Sequence, residues 1–175
     1  MLTSKSLNIN TGILFSHESE YRKNHFFSKI VIDHLIDYKF QNKKFIEVGN
    51  LNIKRDIGYA EEYVEAIYKI NTKNNKEKYI VSSNKLYALY ELIEMALENL
   101  EIKFHKDVNK NQITYINKKN SEVIIKSSIK KFRKIELDSV KGDNSKIKKD
   151  LNWSPRVGLN TIVNKMINFQ LNKVK

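Results

Sequence analysis

The chain contains no cysteine, a single proline and only five glycines among its 175 residues. Without cysteine it can form no disulfide, thiolate nucleophile or Cys-ligated zinc site. No run of eighteen apolar residues occurs, and no apolar stretch follows the first residues, Met1 to Lys5. We therefore expect neither a membrane span nor a signal peptide, and we expect a cytoplasmic protein.

The length and the hydrophobic content of 41% suit one folded unit, predicted to span residues 1–175. The formal net charge of +12 raises the possibility of nucleic-acid binding. However, only four of the 32 basic residues are Arg, and Asn occurs 21 times, so the excess of Lys indicates a compositional bias. No groove-reading helix or RNA-recognition motif accompanies the charge. An anionic nucleotide ligand is the preferred interpretation, and nucleic acid is the less favoured alternative.

Apolar runs typical of strands alternate with amphipathic segments typical of helices. Residues 106–131 hold two short apolar runs, which predict a hairpin or a loosely ordered insertion, and Asp143 is a candidate cap for a short helix. The alternation predicts an α/β fold with short parallel strands. The predicted strands are 8–15, 44–48 and 79–83; the predicted helices are 26–40, 60–68, 86–100 and 159–171; residues 16–24 are a predicted loop.

Several polar residues have simple structural interpretations. Three histidines, at positions 25, 34 and 105, lack metal-ligand spacing, so no metal site is expected. Ser16, His17 and Glu18 do not form a catalytic triad, because neighbours in a strand point apart. The acidic residues of the predicted helices, including Glu62, are interpreted as solvated faces. Trp153 is predicted to be a core residue beside Pro155.

Specific motifs follow one another along the chain in one family's order. They are Gly12–Ser19, Val48–Ala60, Glu62–Val64, Tyr79–Ser82, Phe132–Arg133, Gly142–Asp143 and Leu151–Pro155. Through them the chain resembles GDP-mannose 4,6-dehydratases, of the extended short-chain dehydrogenase/reductase family, from residue 8 to about 170. The resemblance implies the carboxy-terminal part of such an enzyme, with an incomplete Rossmann sheet and a substrate-binding subdomain.

The resemblance also implies ligand contacts. His17 and Arg22 fall where the family contacts NADP, and the positions that hold the GDP-sugar are Ser16, Lys29, Arg55 and Arg133. A guanidinium matches phosphate oxygens two at a time, which suits Arg at such positions. No catalytic residue is assigned, because the family's catalytic Thr, Glu, Tyr and Lys are expected upstream of Gly12.

The five glycines lie too far apart for the glycine-rich turn of a dinucleotide-binding domain. The one Tyr-x-x-x-Lys string, Tyr115 with Lys119, is attributed to chance. We therefore expect NADP to bind only together with an amino-terminal Rossmann half. Three hypotheses stay open: a truncated or split dehydratase acting on GDP-mannose with an amino-terminal partner chain, an inactive remnant, or a non-catalytic module that binds GDP-sugars or NADP fragments. Alone, the chain is expected to aggregate or form a homo-oligomer.

Overall fold

The computed structural model describes residues 9–41, 44–73 and 76–174. Helices and strands alternate over most of this length. The helices are α1 (Phe27–Gln41), α2 (Ala60–Asn71), α3 (Leu89–Asn99), α4 (Ser145–Leu151) and α5 (Leu159–Val174). The strands are β1 (Thr11–Leu14), β2 (Ser16–Glu18), β3 (Ile46–Val48), β4 (Lys54–Tyr59), β5 (Lys78–Val81), β6 (Leu86–Ala88), β7 (Phe104–Asn109), β8 (Gln112–Asn117), β9 (Val123–Ser127) and β10 (Ser139–Val140).

The described strands form three small sheets. β1 and β5 pair in parallel as a two-stranded sheet. β4 lies at the centre of the second sheet, with β2 and β10 parallel to it and β6 antiparallel. In the third sheet β3 runs parallel to β9, and β9, β8 and β7 form an antiparallel meander. The predicted α/β arrangement with short parallel strands is confirmed.

Two apolar clusters hold these layers together. The larger one packs α1, α3 and α5 against the meander and β4. The smaller one surrounds α2, β5 and α4, and consists of Tyr63, Ala66, Ile70, Tyr79, Val81, Ile147, Leu151 and Trp153. Trp153 is buried there, as predicted, with its ring edge-on to that of Tyr63. Asp143 is not the cap residue of α4, because the position before the helix is Asn144, but its Oδ1 accepts a hydrogen bond from the N–H of the first helical residue, Ser145, at 2.9 Å.

Four local predictions were wrong or incomplete. Residues 16–24 are not all loop, because β2 occupies the first three of them. Strand β4 was not predicted, and residues 86–88 form β6 before α3 begins. The two apolar runs within residues 106–131 form the predicted hairpin as β8 and β9, but the polar residues before them add β7 as a third strand. Strands of three residues, such as β2 and β6, are too short to show the alternation of apolar and polar side chains that predicts a strand. Their strand conformation depends on pairing with neighbouring strands.

Helix α2 presents a different face to the core from the one expected. Glu62, interpreted as solvated, is only 4% exposed. By contrast, Val64, Ile67 and Tyr68 are apolar or aromatic residues at helical spacing, and they are exposed. The buried stripe follows Tyr63, Ala66 and Ile70. Glu62 is tolerated inside because it is fully hydrogen-bonded, as described below.

Strand β1 has an open edge and exposed apolar side chains, whereas Tyr79 and Val81 of its partner β5 are buried. Ile13 and Leu14 of β1 are 48% and 38% exposed, and Ile9, just before this strand, is 63% exposed. Parallel strands are ordinarily buried on both faces within larger sheets.

None of the helices in the described residues combines the length and the apolar character that a membrane span requires. The same part of the chain contains no group of three His, Asp or Glu residues that could hold a metal ion.

Candidate functional site

A basic cleft of about 440 Å³ opens where β2 ends and α2 begins. The sequence creates it because β2 pairs in parallel with β4, which brings Glu18 beside Tyr59 and the first residue of α2. Arg22 and Lys23 bring positive charge to the lining, and no lining residue is acidic. The lining residues are His17, Ser19, Tyr21, Arg22, Lys23, His25, Phe26 and Ala60. This cleft can accept an anionic group.

His17 is held in one orientation at the back of this cleft. Its Nδ1 lies 2.8 Å from the carbonyl oxygen of Phe15, and its ring lies 5.2 Å from the ring of Tyr63. A carbonyl oxygen only accepts, so Nδ1 carries the proton in this contact. Nε2 is therefore the acceptor in the neutral ring. Burial, with the nearby Asp56 carboxylate as a smaller cause, raises the pKa of Tyr63 far above its ordinary value, so Tyr63 stays a neutral phenol.

Arg22 is fixed by two neighbours. Its Nε lies 3.0 Å from Glu18 Oε2, and its Cζ lies 3.5 Å from the centre of the Phe26 ring. The buried Nε makes no hydrogen bond within the described residues, so its link to Glu18 is an ion pair. Glu18 itself is 8% exposed and accepts a 2.7 Å hydrogen bond from Ser28 Oγ. Burial raises the pKa of Glu18, while the Ser28 hydrogen bond and the charge of Arg22 lower it less strongly.

Lys29 follows Ser28 in α1 and is already engaged within the fold. Its ammonium contacts both carboxylate oxygens of Asp33 one turn later. It also donates to Gln170 Oε1 of α5 at 3.2 Å, and it is only 8% exposed. Lys29 therefore joins α1 to α5, and its charge is balanced by Asp33.

The other predicted substrate contacts lie around β4. Ser16 is exposed and pairs in register with Ile57, so it shares a face of the sheet with Arg55, two positions earlier on β4. Arg55 Nη1 donates to the carbonyl oxygens of Lys54 at 2.8 Å and Leu137 at 2.9 Å.

Arg133 lies outside these contacts. It is exposed and has no hydrogen bond or ion pair among the residues that the structure describes. The structure thus brings His17 and Arg22 together on one cleft and places Ser16 and Arg55 on adjacent strands.

Asp56, which sequence reasoning passed over, is a buried hydrogen-bond centre. Its Oδ1 accepts from the Ser83 N–H and Oγ–H, each at 2.7 Å. Its Oδ2 accepts from the N–H of Asn84 at 2.9 Å and of Gly142 at 3.2 Å. One carboxylate therefore ties β4 to the turn after β5 and to the segment before α4. The available signal was the place of Asp56 inside the Val48–Ala60 motif.

Glu62 has a comparable role beside α5. Its Oε1 accepts from the Arg156 N–H at 2.8 Å, and its Oε2 accepts from the Val157 N–H at 3.2 Å. The Trp153 Nε1–H donates to the Glu62 carbonyl oxygen at 3.1 Å. The Leu151–Pro155 motif is thus anchored by α2. This part of the family resemblance therefore concerns residues that stabilise the fold.

The fold matches slightly less than half of each of two larger proteins of known structure. RMD from Pseudomonas aeruginosa, solved in complex with NADPH, superposes with a TM-score of 0.72 at 15% identity, over 93% of this chain and 47% of that one. The dTDP-glucose 4,6-dehydratase DesIV from Streptomyces venezuelae, solved with NAD and TYD bound, gives a TM-score of 0.73 at 13% identity, over 97% of this chain and 45% of that one. At these identities the likeness concerns the fold.

The sequence comparisons define the family. A family profile described as GDP-mannose 4,6 dehydratase matches residues 2–166, so the chain belongs to this family. It is 28% identical to GDP-mannose 4,6 dehydratase of Homo sapiens over 157 residues, 89% of this chain and 42% of that protein. It is 30% identical to GDP-mannose 4,6 dehydratase 1 of Arabidopsis thaliana over 168 residues, 94% of this chain and 41% of that protein. The chain thus spans about two fifths of the length of these relatives.

Proposed function

We propose that the chain supplies the sugar-nucleotide-binding part of a GDP-mannose 4,6-dehydratase, which converts GDP-mannose to GDP-4-keto-6-deoxymannose. The observation that carries the proposal is the family match over residues 2–166. The basic cleft at the end of β2 supports it, because Arg22 and Lys23 bring positive charge to the lining and a guanidinium matches phosphate oxygens.

We assign the cofactor contacts to His17 and Arg22. The cleft fits one anionic end of NADP, because its lining includes Arg22 and Lys23 and contains no carboxylate. NADP, when bound, supplies hydride acceptance and return. In this chain Arg22 holds an anionic group, and His17 presents Nε2 with its ring fixed by the Phe15 carbonyl.

We assign GDP-sugar binding to Ser16, Lys29, Arg55 and Arg133. Arg55 is preoriented by its two bonds to backbone carbonyls, whereas Arg133 is exposed. Lys29 acts by positioning α1 against α5, given its balanced charge. The different environments predict different outcomes on substitution, since Arg55 has a structural role and Arg133 has none among the described residues.

We further propose that catalysis requires an amino-terminal Rossmann half. The exposed, open-edged strand β1 supports this, because a further parallel strand would cover its edge amides and apolar side chains. The five scattered glycines also provide no dinucleotide-binding turn. The chain alone is then expected to bind GDP-mannose weakly and to turn none of it over.

Calorimetric titration of the purified chain with GDP-mannose tests the binding proposal. Arg133→Ala is expected to reduce the affinity about tenfold, as removal of a charge-assisted contact does, with an unchanged melting temperature. Lys130→Ala, an exposed basic neighbour, is the matched control and should bind like the wild type. Equal losses in the two variants would show a non-specific charge effect, and salt-sensitive duplex DNA binding without GDP-mannose binding would favour the nucleic-acid alternative.

A further inference from the structure

The Arg22 guanidinium has one edge and one face occupied within the fold. Its Nε edge lies against the Glu18 carboxylate at 3.0 Å, and its plane lies over the Phe26 ring at 3.5 Å. The terminal Nη groups make no hydrogen bond among the described residues, and Arg22 lines the basic cleft. The N–H donors on the two Nη atoms therefore stay available, and such a pair of donors matches two phosphate oxygens.

Glu18 is also held by a residue of α1, which contacts the same carboxylate oxygen as Arg22. Ser28 Oγ donates to its Oε2 at 2.7 Å, and both residues are buried, at 8% and 2% exposure. Ser28 lies in the first turn of α1, so Glu18 connects the end of β2 to the start of this helix. The Glu18 carboxylate is buried and bonded to the Ser28 hydroxyl, and its backbone belongs to β2, so it cannot move with the Arg22 side chain. Its fixed position therefore restricts the position of the Arg22 guanidinium.

We propose that Glu18 is a positioning residue that, together with Ser28, aims the free Nη edge of Arg22 at a phosphate group bound in the cleft. The inference rests on the proposed function for the role of Arg22 and adds the residues that orient it. The ligand chemistry is a phosphate or diphosphate monoester end. Glu18 lies behind the guanidinium and does not line the cleft.

Simple electrostatics makes the opposite prediction, which makes the proposal testable. If Glu18 were only a nearby negative charge, neutralising it would strengthen anion binding by removing repulsion. If Glu18 orients Arg22, the same change weakens binding because the guanidinium loses its fixed geometry. Ser28→Ala changes no charge, so only the positioning role predicts an effect for it.

The test is calorimetric titration of the purified chain with inorganic pyrophosphate at low salt. The variants are Glu18→Gln, Ser28→Ala, Arg22→Gln and, as a control, Glu122→Gln, at an exposed position between β8 and β9. We expect Arg22→Gln to abolish binding, and we expect Glu18→Gln and Ser28→Ala each to weaken it roughly tenfold, as for a lost charge-assisted contact. The control should bind like the wild type.

Four results would overturn the proposal: no pyrophosphate binding by the wild type, tighter binding by Glu18→Gln, unchanged binding by Ser28→Ala, or binding that survives Arg22→Gln. The last would also remove Arg22 from the proposed cofactor contacts, whereas failure of Glu18 and Ser28 alone would leave those contacts intact. A thermal melt of each variant checks folding, and Ser28→Ala still tests the proposal if Glu18→Gln fails to fold.

A second readout follows Glu18 directly by carbon NMR of its labelled carboxyl group. The charge of Arg22 lowers the pKa of Glu18 in the folded chain. Arg22→Gln should therefore raise that pKa further, while the control Lys23→Gln should shift it less. An unchanged Glu18 pKa in Arg22→Gln would show that the ion pair does not form in solution.

Discussion

Replacing Asp56 with Asn is expected to destabilise the chain severely, although it changes only one heavy atom. The carboxylate accepts four hydrogen bonds, two on each oxygen, from Ser83, Asn84 and Gly142. An amide has one accepting oxygen and one donating NH2 group. If the oxygen stays with Ser83, the NH2 group faces the N–H donors of Asn84 and Gly142, and both of their bonds are lost.

The magnitude follows from the number of bonds lost. Hydrogen bonds to a charged acceptor contribute roughly 1.5–3 kcal/mol each, and buried donors left unpaired retain their desolvation cost. Two lost bonds at the lower end of this range give a loss of about 3 kcal/mol in the free energy of unfolding. For a chain of this size that corresponds to a fall of about 6–12 °C in the melting temperature.

The assay is thermal unfolding followed by far-UV circular dichroism, with urea unfolding as a second measure. Asp107→Asn is the matched control, because Asp107 is an exposed residue on β7 with the same chemical change. The control should melt within about 2 °C of the wild type. A similar melting temperature for Asp56→Asn and the control would refute the view that this carboxylate joins β4, the turn after β5 and the Gly142 segment.

Two further predictions concern Gly58 and Glu18. A Cβ at Gly58 would lie 2.4 Å from a ring carbon of the buried Tyr63. We therefore expect Gly58→Ala to lower the free energy of unfolding, measured in urea, by about 2–3 kcal/mol. Gly158 has open space around it, so the control Gly158→Ala should lower it by under about 1 kcal/mol. Burial raises the pKa of Glu18 in the folded chain above its ordinary value of 4.5, so the folded chain binds the carboxyl proton more tightly than the unfolded chain does. As the pH rises above about 4.5, loss of this proton therefore destabilises the folded state progressively. The wild type should therefore lose stability relative to Glu18→Gln between pH 4.5 and 7 in paired thermal melts, and a difference that is constant or grows in favour of the wild type would contradict the burial of Glu18.

The parts of the fold that the sequence predicts are those whose pattern is long enough to show a period. The helical spacing from Leu89 to Leu100 and from Leu159 to Leu171 predicts α3 and α5, and both face the larger apolar cluster. Strands β2 and β6 contain three residues each, and β4 begins with Lys54, Arg55 and Asp56. No local pattern marks these as strands, because their partners lie elsewhere in the chain.

The candidate site shows the same division. The family resemblance places His17 and Arg22 side by side, and the structure puts both on one cleft. It does not reveal Glu18 and Ser28, since their contact requires β2 to meet α1. Nor does sequence spacing indicate that Arg55 bonds to the carbonyl of Leu137, a contact made across 82 positions.

Some residues of the family motifs are needed for folding alone, and others are not. Residues of the second kind test the hypothesis that the chain is an inactive remnant. Asp56 and Glu62 satisfy buried backbone donors, so folding alone requires them whether or not a ligand binds. The Glu18–Arg22 pair is different: burial penalises the Glu18 charge, and a well-packed apolar pair is often as stable as a buried ion pair or more so. A bound anion would account for an arrangement that stability does not require and that leaves the guanidinium donors of Arg22 facing a basic cleft. The pair therefore favours a binding role over an inactive remnant.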